Sequence, residues 1–293
     1  MNKIFENQKP TIVSNNLNTD FNFENIIKKL SKIKMPELST RRCIIGTQLN
    51  EIMDSNIDKW NPKECNFNEL IDTIRNGNNY ASIRSESEQI NYNGIDLIYE
   101  SKLDSIILEK LIEEIKPYIP KEIMPINKKF EIIFWIGSLS KNFGLHTDFM
   151  CNQLIVMYQG IKEIQLILPE NASELKPYLI NNKPYKSSLR TLKNYKIHNT
   201  SNYYKFILYP GDILYIPPFW WHEVKTISKD LSLSVTYRYN NELKYEFKSI
   251  LNSIDNLDEH KIDDFYKKLC KENSFLEKHI KSYIKYQQLN YIK

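Results

Sequence analysis

The sequence predicts a mostly-β fold with flanking helices: a double-stranded β-helix, or jelly roll, followed by a C-terminal helical segment. The first observation is that residues 129–240 contain short apolar runs separated by turn signals, which is typical of a jelly roll or barrel. The second is that apolar residues recur at helical spacing on both sides of this region. The runs predicted as strands are Glu131 to Ile136, Leu154 to Tyr158, Ile164 to Leu168, Phe206 to Tyr209, Ile213 to Ile216 and Leu231 to Tyr237.

Two helices are predicted ahead of these strands. An apolar stripe at helical spacing extends from Phe23 to Leu30, and another extends from Leu103 to Ile115, with Pro117 as its stop signal. Because one face of each helix is apolar, we expect both helices to flank a sheet.

Three side chains form a candidate metal site. His146 and Asp148 are two residues apart, so on a strand their side chains project from the same face and can reach one ion. His222 follows much later, beyond the apolar run that the prolines at 217 and 218 end, so we expect it just past a strand end. Two histidines and one carboxylate leave coordination positions open, and they are the ligand set of non-haem Fe(II) oxygenases.

Lys162 lies between these ligands in the sequence, on a predicted strand. If its side chain faces inward, the buried ammonium needs an anion, because an unpaired buried charge costs several kcal/mol of desolvation. A dicarboxylate co-substrate would provide that anion. The alternative is that Lys162 points outward into solvent.

Each of these features also has a simpler explanation. A His-x-Asp triplet occurs by chance in many proteins, and Trp220 and Trp221 are by default packing residues. The combination of triplet, lysine and distal histidine in this order favours the metal site. A zinc hydrolase is disfavoured because the helical His-Glu-x-x-His arrangement is absent from these motifs.

The motifs together resemble the JmjC and cupin-like Fe(II)/2-oxoglutarate dioxygenases, and especially the factor-inhibiting asparaginyl hydroxylase branch. The segment from Gly211 to His222 is similar to that branch's distal-histidine segment, and Ile136 to Asp148 is similar to its proximal metal segment. Gln159 to Pro169 resembles the strand whose lysine holds 2-oxoglutarate, and Lys9 to Val13 resembles the opening strand. The likeness is strongest over residues 129–240, and it implies a cupin-like jelly roll.

The resemblance implies a role for each matching residue. His146, Asp148 and His222 would bind Fe(II), and Lys162 would hold the far carboxylate of 2-oxoglutarate, with O₂ as the other co-substrate. Three further positions match residues that line the pocket or contact the co-substrate in relatives: Asn152, Tyr80 and Thr236.

Two departures from the family pattern are present. Many relatives carry a threonine or serine three residues before the first metal histidine, where this chain has Phe143, so the second partner of the carboxylate is unassigned. The chain also has one extra residue between Asp148 and Gly160, which affects the match at Asn152.

The chain divides into a predicted catalytic domain at residues 1–240, with its jelly-roll core at about 129–240, and a helical segment at 241–293. Residues 170–204 are rich in Asn, Lys, Tyr and Ser, and they predict a long polar connection near the active-site mouth. The C-terminal helices either pack on their own barrel or form a homodimer by exchange, and the resemblance favours the dimer. Their apolar stripes are Phe247, Ile250, Leu251, Ile254 and Leu257, then Leu276, Ile280, Tyr283 and Ile284.

Composition fits an intracellular enzyme of the cytoplasm or nucleus. The 40 basic and 36 acidic residues give a formal charge of +4, without the basic block that would indicate nucleic acid. The 4 cysteines show no CxxC spacing, so neither a disulfide framework nor a zinc ribbon is predicted. No apolar run has the length of a membrane span, and no signal-peptide core follows the first residues.

The sequence therefore predicts an oxygenase that converts 2-oxoglutarate to succinate and CO₂ while it hydroxylates a C–H bond. A protein side chain is the preferred substrate, by analogy with the branch. Hydroxylation of a tRNA base or a small metabolite, and demethylation of N-methyl-lysine, are alternatives. A cupin-fold binding or assembly protein without turnover is the non-enzymatic alternative.

Overall fold

The computed structural model describes residues 9–14, 21–31, 41–45, 63–65, 67–77, 80–84, 86–92, 95–100, 105–120, 124, 129–139, 142–148, 151–169, 177–180, 183–188 and 203–240. The described helices are α1 (Phe23–Ser31), α2 (Phe67–Gly77) and α3 (Ser105–Ile115), which continues into a 3₁₀ turn, Lys116–Tyr118. The early strands are β1 (Thr11–Ser14), β2 (Arg41–Ile45), β3 (Lys63–Cys65), β4 (Tyr80–Arg84), β5 (Glu86–Tyr92) and β6 (Ile95–Glu100). The later strands are β7 (Lys129–Gly137), β8 (Asn142–Thr147), β9 (Cys151–Gln159), β10 (Lys162–Ile167), β11 (Pro177–Ile180), β12 (Lys183–Ser188), β13 (Tyr203–Leu208), β14 (Asp212–Ile216), β15 (Trp221–Thr226) and β16 (Ser232–Asn240).

The strands form two sheets. Within the described residues the larger sheet has ten strands in the order β1-β14-β9-β16-β7-β4-β2-β3, and β6 joins it through β7 and pairs with β5. The smaller sheet has the order β11-β12-β8-β15-β10-β13. Consecutive strands from β7 to β10 alternate between the two sheets, which is the connectivity that wraps a jelly roll around an interior.

The larger sheet buries both of its faces. Along β9, Leu154, Val156 and Tyr158 belong to the core that also contains the apolar residues of α1, α2 and α3, whereas Ile155 and Met157 belong to the core between the two sheets. This separation follows from the period of two along a strand. The helices therefore cover the outer face of the larger sheet, and its inner face is available for an interior site.

Helix α1 shows why these elements pack as they do. Its apolar stripe is buried from Phe23 to Leu30, Glu24 lies in its first turn, and Lys28 and Lys29 lie in its last turn, as the helix dipole favours. The helices at Phe23–Ser31 and Ser105–Ile115 confirm the two that were predicted from helical spacing. Helix α2 was not predicted.

The turn between β9 and β10 depends on a glycine. Gly160 has φ of +80°, a left-handed conformation that residues with a Cβ adopt at a cost. A Cβ on Gly160 would also lie 2.6 Å from Cβ of Ser232 on the neighbouring strand β16. The turn is thus pressed against the sheet, and this fixes the start of β10, where Lys162 lies.

The predicted fold class is confirmed for the described residues: antiparallel strands form a jelly-roll core across 129–240, and helices flank it. Within the long polar connection predicted at 170–204, β11 and β12 form a hairpin that was not predicted. That hairpin joins the smaller sheet where Ser187 pairs with His146, near the predicted site.

The predicted segment at 241–293 lies outside the described residues, so its helices and the dimer remain predictions. None of the described helices has the length and apolar character needed to cross a membrane.

We expect Gly160→Ala to lower the free energy of unfolding by about 1–3 kcal/mol, because the substitution combines an unfavourable φ with a steric contact. Urea denaturation monitored by circular dichroism measures this change. Lys229→Ala, in the exposed turn before β16, is the control and should leave stability unchanged. Equal midpoints for wild type and Gly160→Ala would show that the turn is not fixed as described.

Candidate metal and co-substrate site

His146, Asp148 and His222 are brought together between the sheets. His146 on β8 pairs directly with His222 on the adjacent strand β15, and Asp148 follows the end of β8. The Nε2 atoms of His146 and His222 lie 3.9 and 3.8 Å from Oδ2 of Asp148. All three side chains are buried, and one ligand atom from each lies within 4.8 Å of the others. Among the residues that the structure describes, no other group of histidine, cysteine or acidic side chains has this arrangement.

The position of His222 differs from the one expected. It is the second residue of β15 rather than a residue beyond a strand end, because the chain reverses after β14 and enters the other sheet. In this reversal Phe219 is buried and has φ of 67°, a conformation that costs a residue with a side chain about 1–3 kcal/mol. Packing holds the strained turn in place, and the turn sets the start of β15.

Hydrogen bonds orient the ligands. Nδ1 of His222 lies 3.0 Å from the backbone carbonyl oxygen of Trp220. Because a carbonyl only accepts, Nδ1 carries the proton, and in the neutral ring Nε2 presents its lone pair towards Asp148. Oδ2 of Asp148 accepts hydrogen bonds from Nε2 of Gln153 at 3.0 Å and from Nη2 of Arg238 at 3.2 Å.

This donor set fits a divalent transition metal. Two imidazole nitrogens and one carboxylate oxygen form the facial ligand set of non-haem iron, and they leave other positions open. Bonds of about 2.1 Å can bridge ligand atoms that lie 3.8 Å apart. Second partners that fix ring and carboxylate orientation are also typical of metal ligands.

Lys162 faces inward. Its side chain is buried, and Nζ donates a hydrogen bond to Oγ of Ser234 at 2.5 Å. Within the described part of the chain no carboxylate lies within ion-pair distance of this amine. Burial without a counter-ion lowers the pKa of Lys162 from 10.5 to about 7. The amine is therefore placed to receive an anion from outside the protein.

One pocket contains both the triad and the lysine. Strand β16 contributes three alternate residues to the pocket wall: Ser234, Thr236 and Arg238. Ser234 contacts Lys162, and Arg238 contacts Asp148. Thr236 accepts a hydrogen bond from Nε1 of Trp135 at 3.1 Å. The complete lining is Trp135, His146, Asp148, Gln153, Ile155, Lys162, His222, Val224, Thr226, Ser234, Thr236 and Arg238.

The other predicted site residues have different positions. Thr236 lines the pocket, as expected. Asn152 does not: its Oδ1 accepts a hydrogen bond at 2.7 Å from the hydroxyl of Tyr215, which packs in the core on the helix side of the larger sheet. Neighbouring residues of a strand face opposite sides, and on β9 Gln153 rather than Asn152 occupies the inward position. Tyr80 begins β4 opposite Gly137, and its side chain lies outside the described residues.

Sequence reasoning missed seven residues of the pocket lining: Trp135, Gln153, Ile155, Val224, Thr226, Ser234 and Arg238. Period-two alternation from Thr236 predicts that Ser234 and Arg238 share its face, so that signal was present. Thr226 pairs with Lys162 across β15 and β10, a register that no local pattern specifies. The side chain of Phe143 lies outside the described residues.

The chain belongs to the cupin-like domain family, which matches residues 2–245. It is 29% identical over 189 residues to JmjC domain-containing protein D of Dictyostelium discoideum, covering 60% of this chain and 40% of that protein. It is 30% identical over 121 residues to tRNA wybutosine-synthesizing protein 5 of Danio rerio, covering 41% of this chain and 36% of that protein. The chain thus spans less than half the length of these relatives.

Among solved structures, the chain is similar to the X-ray structure of E. coli ycfD. The TM-score is 0.47 at 15% sequence identity, and the alignment covers 83% of this chain and 52% of that one. Family membership rests on the domain match rather than on this alignment.

The lowered pKa of Lys162 predicts a pH-dependent stability. Between pH 7 and about 10.5 the unfolded lysine is protonated and the folded one is not, so wild-type stability rises with pH across this window. We expect Lys162→Met to remove this slope and to raise the free energy of unfolding at pH 7 and below by about 1–4 kcal/mol, because a buried charge is replaced by an apolar chain.

Chemical denaturation across pH 6–10 without added ligand measures the effect. Lys225→Met, which alters an exposed lysine on β15, is the matched control. Parallel pH profiles for wild type and Lys162→Met would contradict burial of the uncompensated amine.

Proposed function

We propose that the protein is an Fe(II)- and 2-oxoglutarate-dependent oxygenase that hydroxylates a C–H bond. The observation that carries the proposal is the presence, in one buried pocket, of a two-histidine, one-carboxylate cluster and an inward lysine that has no carboxylate partner among the residues the structure describes. A metal alone would account for the first feature but not for the second. Membership of the cupin-like domain family supports the same conclusion.

His146, Asp148 and His222 would hold the iron. When bound, Fe(II) supplies the redox chemistry by which O₂ gives one oxygen atom to the substrate C–H bond and the other to 2-oxoglutarate, which becomes succinate and CO₂. The three side chains would hold the metal in place, and the pocket wall would exclude water. Trp135, Ile155 and Val224 contribute the aromatic and aliphatic part of the pocket wall.

Lys162 would pair with the far carboxylate of 2-oxoglutarate, with the hydroxyls of Ser234 and Thr226 beside it. Ser234 already contacts the amine, and Thr226 pairs with Lys162 across the sheet and lines the same pocket. Two hydroxyls here would replace the one that relatives carry where this chain has Phe143. A bound carboxylate also stabilises the charged amine, so binding would raise the pKa of Lys162 and take up a proton near neutral pH.

A protein side chain is the substrate that we propose, and membership of the asparaginyl hydroxylase branch remains a prediction. Similarity to a tRNA wybutosine-synthesizing protein favours a tRNA base as the second candidate. The absence of a basic block from the sequence weighs against nucleic acid. N-methyl-lysine demethylation and hydroxylation of a small metabolite are the other candidates, and measuring succinate formation with each substrate added tests them.

The class of reaction is tested by succinate formation without added substrate. Protein purified without oxygen is given Fe(II), 2-oxoglutarate and O₂, and we expect slow uncoupled turnover that needs iron. His146→Ala should lower the rate at least 100-fold, because it removes a metal ligand, while Lys229→Ala, in the exposed turn before β16 and absent from the pocket lining, should leave it unchanged. No succinate from any of the proteins, together with no 2-oxoglutarate binding, would favour the non-enzymatic binding protein.

The co-substrate end of the pocket is tested separately. We expect Ser234→Ala and Thr226→Val each to raise the KM for 2-oxoglutarate about 3–10-fold with little change in kcat. Each substitution removes one hydrogen bond to a charged group. Ser228→Ala, in the turn before β16 and absent from the pocket lining, is the control. An unchanged KM in both pocket variants would place the carboxylate elsewhere.

A further inference from the structure

Arg238 lies between two buried carboxylates of different kinds. Its Nη2 donates to Oδ2 of Asp148 at 3.2 Å, and its Nη1 donates to Oε2 of Glu131 at 3.5 Å. Asp148 is a proposed metal ligand, whereas Glu131 is not part of the pocket lining. The guanidinium therefore connects Asp148 in the proposed metal site to the carboxylate of Glu131 outside the pocket.

The backbone fixes this arrangement. Arg238 on β16 pairs with Glu131 on β7 and with Gln153 on β9, so the three residues form a row across adjacent strands of the larger sheet. Gln153 and Arg238 both donate to the same oxygen of Asp148. Asp148 itself follows a strand of the smaller sheet, so donors from one sheet hold a ligand that belongs to the other.

We propose that the row Glu131–Arg238–Gln153 positions the Asp148 carboxylate for metal binding, an inference that rests on the proposed function. Asp148 lies beyond the end of its strand, so the hydrogen bonds of β8 do not fix its side chain. Two donors on one oxygen restrict rotation of the carboxylate. Glu131 accepts from the other terminal nitrogen of the planar guanidinium. A lysine has a single charged nitrogen and cannot reproduce this two-sided contact.

The row differs from an ordinary structural ion pair in what its loss should change. A pair that only stabilises the fold lowers the unfolding midpoint and leaves the folded site unaltered. A positioning row alters the metal site itself, and removal of such outer partners typically weakens metal binding 10–100-fold. Metal affinity and the spectrum of the bound metal therefore separate the two.

The test is titration of the purified, metal-free protein with Co(II), followed by calorimetry and by the visible absorption of the bound ion. We expect Arg238→Gln to weaken Co(II) binding 10–100-fold and to change the Co(II) spectrum, and Arg238→Lys to restore affinity in part. Glu131→Gln should weaken binding less, because it removes only the anchor of the guanidinium. Arg75→Gln, which removes the exposed ion pair with Glu24, is the control and should bind like wild type.

Unchanged Co(II) affinity and spectrum in Arg238→Gln, whatever happens to its unfolding midpoint, would overturn the positioning role and leave the proposed function intact. Failure of the wild type to bind Co(II) would overturn both. If Arg238→Gln does not fold, Gln153→Leu provides the test, because it removes the uncharged donor to Asp148. Co(II) affinity equal to that of the wild type would then overturn the positioning role of the row.

Discussion

The buried charge of Asp148 is the constraint on which the rest of the site depends. A carboxylate removed from water costs several kcal/mol unless hydrogen bonds and opposite charge compensate it. Here compensation comes from Arg238 and Gln153 on the larger sheet, and two imidazoles of the smaller sheet lie on the other side. Both sheets must therefore close correctly before the carboxylate is satisfied, so the fold and the metal site are specified together. A divalent ion would add the remaining positive charge.

Lys162 gives the pocket a second polar end, whose amine becomes charged when it takes up a proton. Strand β16 links the two ends, since Ser234 contacts the lysine and Arg238 contacts Asp148 four residues later, a separation of about 13 Å along a strand. The amine of Lys162 has a lowered pKa and lacks a carboxylate partner among the described residues, whereas the other end of the pocket carries the acidic ligand. This polarity would orient a dicarboxylate co-substrate, with one carboxylate at the lysine and its keto acid towards the metal.

Much of the site could be predicted because the ligands have local signatures. The spacing of His146 and Asp148, the inward face of Lys162 and the apolar runs of the core all follow from period two along a strand. Asn152 was misplaced because that period does not extend through the turn after Asp148, so alternation along β8 does not predict which residues of β9 face inward. The inward face of Arg238 follows from alternation along β16, but its partners Glu131 and Asp148 come from other elements and have no local signature. The hairpin at 177–188 was missed because neither of its strands shows apolar alternation.

The central claim is that the triad His146, Asp148 and His222 and the amine of Lys162 form one binding site. Calorimetric titration of 2-oxoglutarate into the protein, with and without Mn(II) and in the absence of oxygen, tests this claim. The account predicts tight binding in the presence of Mn(II), at least tenfold weaker binding without it, and proton uptake near pH 7 that disappears in Lys162→Met. Equal affinity with and without Mn(II), or binding that Lys162→Met does not weaken, would mean that the triad and the lysine do not act on one ligand.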